Sequence, residues 1–134
     1  MAIQYSLTHR TNAMTQLNTD IGANAVIKIW TSTPPANCGT ADSGTLLATF
    51  AGNAGGFGTV GSQELTASAV ASTTGAAAGV AGYFRIYPSA ATSTNAVIQC
   101  TCGTSGTDMI LTNTSIAVGQ TINFTSLVIT AFGV

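Results

Sequence analysis

The spacing of apolar positions changes once along the chain, at Gly22. Before it, Ala13, Met14, Leu17 and Ile21 recur at three- and four-residue intervals, which is one face of a helix. Thr8 is placed to cap a short helix over 9–20, and Gly22 stands where helices commonly stop. Beyond Gly22 the period is two. Ala25–Thr31 (AVIKIWT) reads as a strand, with Ile27 and Ile29 on one face and Val26, Lys28 and Trp30 on the other. Thr33-Pro34-Pro35 ends it, because a proline pair cannot join a sheet ladder.

Thr45–Phe50 (TLLATF) is a second strand, introduced by Ser43-Gly44. The stretch AGNAGGFGTVGS that follows reads as a flexible surface loop. Glu64–Ala71 is a weakly signalled third strand, and Ser72–Val80 a small-residue loop. Gly82–Tyr87 (GYFRIY) carries the strongest strand signal, with Phe84 and Ile86 on one face and Tyr83, Arg85 and Tyr87 on the other. Ala96–Thr101, Asp108–Thr112 and Gln120–Ala131 complete the set, separated by Gly, Ser or Asn turns. The expected fold is mainly β: an antiparallel β-sandwich or jelly roll with a short N-terminal helix. A helix or arm over 1–22 and a sandwich over 23–134 would together form a single domain.

Charge changes this picture most. Only seven side chains of 134 are charged: Arg10, Lys28 and Arg85 against Asp20, Asp42, Glu64 and Asp108. Soluble domains are typically about one-quarter charged, and charge is what keeps them apart in solution. A surface this neutral suits contact with other protein. Three scattered cations cannot supply the counterion release that drives nucleic-acid binding, so nucleic acid is not an expected partner. Nor is a membrane, since Leu65–Gly82 is broken throughout by Ser, Thr and Gly. The N-terminal residues lack the apolar core of a secretory signal, which predicts synthesis in the cytoplasm and reduced thiols at Cys38, Cys100 and Cys102.

Little of the usual catalytic chemistry is present. Cys100 and Cys102 lie two residues apart on one strand face, but a zinc site would need Cys38 and His9 to converge from distant loops. Small packing residues are the better reading of these thiols, with a bond from Cys38 to Cys100 or Cys102 only in oxidising surroundings. His9, the sole imidazole, has no adjacent carboxylate and no G-x-S-x-G elbow to serve. The four acids fall in four segments, and the glycine-rich stretch lacks the Lys-Ser/Thr ending of a phosphate loop. No catalytic residue, metal ligand or cofactor is therefore expected.

Arg85 stands apart, mid-strand between Phe84 and Ile86. A buried cation costs several kcal/mol unless paired, so Arg85 should have a carboxylate or a set of carbonyls as partner, within the fold or across an interface; the expected intramolecular carboxylates are Asp108 and Glu64. Trp30, Tyr83 and Tyr87 could form an aromatic sugar-binding platform or anchor a protein interface. The interface is preferred, because sugar sites add several polar groups.

The ordered run NAMTQLNTDIG, AVIKIWT with TPPA, SGTLLATF, AGYFRIY, TSGTDMILTNTSIAVGQTI and TSLVITA resembles a family of small tailed-bacteriophage proteins encoded beside the major capsid protein. Its most specific pieces are GTLLA at 44–48, GYFRIY at 82–87 and DMILTN with I-x-x-G at 108–119. The resemblance implies a capsid cement, or decoration, protein with a jelly-roll-like fold. Such a protein would sit on the virion's outer surface as a homodimer or homotrimer, bound to the major capsid protein. The expected contact residues are Trp30, Tyr83, Tyr87 and the loop Gly52–Gly61 with Gly55, Gly56 and Phe57. Ala13, Met14 and Leu17 would tie the helix to the sandwich or to a neighbour. The alternative from another class is a receptor- or carbohydrate-binding fibre or tail module.

Overall fold

Ser6, rather than Thr8, starts the helix: its hydroxyl accepts a hydrogen bond from His9 N at 3.2 Å, and α1 runs Leu7–Ile21. Gly22 ends it at φ 72°, a conformation that glycine adopts without strain. The computed structural model describes residues 2–132, and among them one helix and twelve strands. No helix there is long and apolar enough to cross a membrane.

α1 buries Met14 and Ile21 and lies on a hairpin of β3 (Gly58–Gly61) and β4 (Glu64–Ala67). Its Asn18 behaves like one rung of a sheet. The side-chain amide donates to Gly58 O at 3.0 Å and accepts from Gly58 N at 3.1 Å. The second half of the stretch read as a flexible loop is thus a paired strand. Glycine is required at 58 because a Cβ there would lie 2.2 Å from Thr66 O. Composition alone could not distinguish a glycine needed for close approach from one conferring freedom.

Eight strands form one sheet. Its order is β2 (Leu46–Ala51), β1 (Val26–Trp30), β7 (Tyr83–Tyr87), β8 (Ile98–Gly103), β9 (Met109–Leu111), β12 (Phe124–Thr130), β4, β3. The sheet is mixed, which corrects the antiparallel expectation. Every neighbouring pair is antiparallel except β8 and β9, which are parallel with Cys102 opposite Met109. Parallel neighbours ordinarily need a crossover of a dozen or more residues. Here residues 104–108 suffice, because only two rungs form and Gly106 takes φ 67° to turn the chain back. The parallel step joins two antiparallel halves, β2-β1-β7-β8 and β9-β12-β4-β3.

The sheet curls so that these halves share one core. Phe50 of β2 meets Phe124 of β12 edge to face, with ring centroids 5.3 Å apart. Ile27, Ile29, Phe84 and Ile86 enter the core from one half, and Leu65, Met109 and Leu127 from the other. The alternation read in β1 and β7 therefore orients these strands as expected. Two short ribbons, β5 (Thr73–Thr74) with β11 (Thr121–Ile122) and β6 (Gly79–Val80) with β10 (Ser115–Ile116), order the segment expected to be a loop over 72–80. The fold is mainly β, with one short helix and a curled mixed sheet.

Candidate functional site

Strand β7 is buried on both faces, all five of its residues included. Phe84 and Ile86 face the core, while Tyr83, Arg85 and Tyr87 face away from it beneath residues 32–44. That covering segment is an Ω-like loop whose ends meet. Thr31 N donates to Thr45 O at 3.0 Å, and Thr45 N donates to the Thr31 hydroxyl at 2.8 Å.

Arg85, fully buried, holds the loop down. Its Nη1 donates to Asp42 Oδ1 at 2.8 Å, to Thr40 O at 2.8 Å and to Ser93 O at 3.3 Å. Its Nη2 donates to Asn37 O at 3.0 Å and to Gln99 Oε1 at 2.8 Å, and Nε donates to the same Gln99 oxygen at 3.1 Å. Gln99, on β8 opposite Arg85, turns its own amide to Pro35 O at 2.7 Å. Every guanidinium nitrogen is used, and three separate segments converge on it.

The carboxylate that pairs with Arg85 is therefore Asp42, in place of the expected Asp108 and Glu64. Asp42 lies in a Ser-Gly turn that reads as ordinary loop chemistry, and nothing in the local pattern shows that the loop folds back over β7. Asp108 instead accepts from the Cys100 thiol at 2.6 Å, and Glu64 is exposed on β4. Gln99 and Asn37 were also missed. For Gln99 a signal existed: it is the one long polar residue within AVIQCT and faces the same side as Arg85.

The aromatic residues serve the same clamp. Tyr83 exchanges two hydrogen bonds with the Ser43 backbone, donating to O at 2.7 Å and accepting from N at 3.1 Å. Tyr87 donates to Asp42, and burial, then that bond, pushes its pKa well above the ordinary 10.0. Lys28 lies over the Tyr87 ring, 4.9 Å from its centroid. Trp30, half-buried, stacks on Tyr83 at 6.5 Å. Tyr83 and Tyr87 are both fully buried, so neither can be an interface anchor or a sugar platform while the loop is closed. Phe57 is likewise in the core, at 4% exposure, whereas Gly55 is exposed and Gly56 half-buried in the turn before β3.

The three cysteines are free. Burial raises the Cys102 pKa from 9.0 to about 11, and burial followed by the Asp108 bond and charge raises that of Cys100. Unfolding releases Cys102 to its ordinary value, so its contribution to stability is complete below about pH 9 and is lost as pH rises towards about 11. A two-unit rise leaves roughly a hundredfold less thiolate at neutral pH. Cys102 should react with Ellman's reagent at pH 8 at least tenfold more slowly in the native protein than in urea. Equal rates would show that the thiol is not buried in solution. His9, exposed, stacks on Tyr5, with ring centroids 5.0 Å apart. Among the described residues no group of three or more His, Cys, Asp or Glu could hold a metal ion.

Comparison with known proteins returned no match to a protein-family model, a curated protein or a solved structure.

Proposed function

We propose that the chain is a structural virion protein that binds the outside of an assembled phage head and stabilises it. One observation carries this reading. Of the seven charges, Lys28, Asp42 and Arg85 are gathered at the loop clamp, which leaves four to serve the rest of a 6624 Å² surface. Such a surface can be covered by another protein without the desolvation cost that charged groups impose. Exposed Ile3, Leu7, Val80, Val118 and Phe132 add apolar contact area. On this reading the curled sheet acts as a jelly-roll-like sandwich that stiffens the shell.

The mechanism is mass action. A chain that binds only the assembled shell, chiefly its major capsid protein, stabilises it by RT ln(1 + [L]/Kd) per site, about 2.7 kcal/mol at a hundredfold excess over Kd. Quantitative mass spectrometry of purified particles should count hundreds of copies, and heads stripped of the chain should release DNA at a lower temperature. A few to a few dozen copies would overturn the cement reading in favour of a fibre or tail module. The covering of Tyr83 and Tyr87 removes the aromatic sugar platform of that rival and the aromatic anchors of the cement reading alike.

A further inference from the structure

The eight-stranded sheet has a gap in it. β9 is three residues long, and its ladder with β8 covers only Cys102 and Gly103. Before Met109 the chain leaves the sheet through residues 104–108, so the lane between the first half of β8 and the last half of β12 holds no described strand. Two strands parted by a third stand about 10 Å apart, which leaves room for one extended segment. Backbone groups on both sides of the lane are unused. Cys102 N donates to Gly82 O, so Ile98 and Cys100, at the same alternation, bond to β7, and Gln99 turns its N–H and C=O to the lane. Across it, Ala131 N donates to Gln63 O at 2.9 Å and Val128 N to Asp108 O at 3.3 Å. Thr130 therefore turns its N–H and C=O away from β4 and into the lane. Among the described residues neither Gln99 nor Thr130 finds a main-chain partner there. A row of unpaired groups along a strand is a template for another strand.

Empty space follows the lane. A cavity of about 170 Å³ beside Gln99 and Cys100 and a groove of about 530 Å³ beside α1 share Ile98, Ile129 and Thr130 as lining. Ile98, Cys100, Ile129 and Leu17 pack against the core here yet stay partly exposed. Two of the four acids border the same space, Asp108 on the cavity and Asp20 on the groove, and none of the three cations lines either. Cys100 donates to Asp108 and Gln16 to Asp20, but both donors are neutral and leave the carboxylate charges uncompensated. The one ion pair among the described residues lies elsewhere, at Arg85 and Asp42.

We propose that the lane takes an extended, basic segment of a partner protein, added as a strand between β8 and β12. Its main chain bonds to Gln99 and Thr130, which supplies affinity without regard to sequence. Its inward side chains are apolar at alternate positions and cover Ile98, Cys100 and Ile129, while its outward ones are polar. Lysine or arginine at its ends meets Asp108 and Asp20. The proposal stands on the sheet alone and does not depend on the phage-head reading.

Amide hydrogen exchange of the full chain, read by NMR, tests it. In the free protein the Gln99 and Thr130 amides should exchange about a hundredfold faster than those of Cys100 and Ile129, which are tied into ladders. A short acetylated and amidated peptide of alternating valine and threonine, with lysine at both ends, should slow both amides at millimolar concentration. The same peptide with glutamate at both ends should bind about fivefold more weakly, and Asp20→Asn with Asp108→Asn should erase that preference. A lysine peptide with proline at its centre lacks a ladder donor and should leave both amides unchanged at that concentration. Slow exchange at Gln99 and Thr130 in the free chain would mean that residues 2–6 or a second copy already fill the lane, and would overturn the proposal. So would a lysine peptide that protects neither amide, or binding that neither glutamate nor proline weakens. Protection by the lysine peptide together with few copies in virions would uphold it while removing the cement reading.

Discussion

Arg85→Met should lower the melting temperature by about 10–15 °C. Removing one partner from a buried charge pair costs about 3–5 kcal/mol, and a domain of this size loses roughly 3 °C per kcal/mol. Methionine keeps most of the stem's packing, so the loss reports on the guanidinium and not on a cavity. It would strand Asp42, whose side chain is only 9% exposed, together with the carbonyls of Thr40, Asn37 and Ser93. In many buried pairs, replacing both side chains by apolar ones is nearly neutral. That remedy fails here because three acceptors are main-chain carbonyls, which no substitution removes. Combining Arg85→Met with Asp42→Leu should therefore recover only a minor part of the loss. Thermal unfolding followed by circular dichroism measures both variants. A shift under about 2 °C for Arg85→Met, or full rescue by the double change, would show that the loop is held by something else.

Gly82→Ala should cost about 3 kcal/mol, or roughly 10 °C, for a different reason. A Cβ at 82 would lie 1.9 Å from Ser32 O and 2.9 Å from Ser32 C. Both atoms are backbone, at the start of the covering loop, and Gly82 N donates to Trp30 O at 2.9 Å across the same contact. No side chain can swing aside, so the loop must lift or β7 must shift. Residues 32–44 should then be cut by protease at much lower enzyme concentration than in the parent, while the core strands stay resistant. An alanine variant with the parent's melting point and cleavage pattern would mean that Ser32 moves away freely. The two substitutions act on one element, so their effects should not add: once the loop is lifted, Arg85 has already lost Thr40, Asn37 and Asp42 as partners.

Much of this fold is legible in the residues themselves, and the limits fall at identifiable places. The switch of period at Gly22 and the faces of β1 and β7 follow from side-chain alternation and backbone chemistry, whereas β1 ends at Trp30, ahead of the Pro34-Pro35 pair, where Ser32 takes φ 75°. The strand over 58–61 was hidden because its glycines mimic a loop, although the Thr66 and Ala67 backbone leaves no room for anything larger at Gly58. The parallel step between β8 and β9 was hidden because five connecting residues would ordinarily imply a hairpin. Trp30, Tyr83 and Tyr87 were correctly placed on the face opposite the core, yet that face was expected to be open.

The sequence by itself determined that Arg85 would lie mid-strand in apolar surroundings and would need a carboxylate or a set of carbonyls as partner. Strand period and charge scarcity are local properties, readable one segment at a time. Only the tertiary structure decided that the carboxylate is Asp42. That choice depends on residues 32–44 closing over β7, a contact across 43 positions of chain whose cost in backbone entropy is met by bonds from Arg85, Tyr83, Tyr87 and Gln99 acting together. No single residue among them signals the closure, because each bond forms only when the others have brought the loop into place.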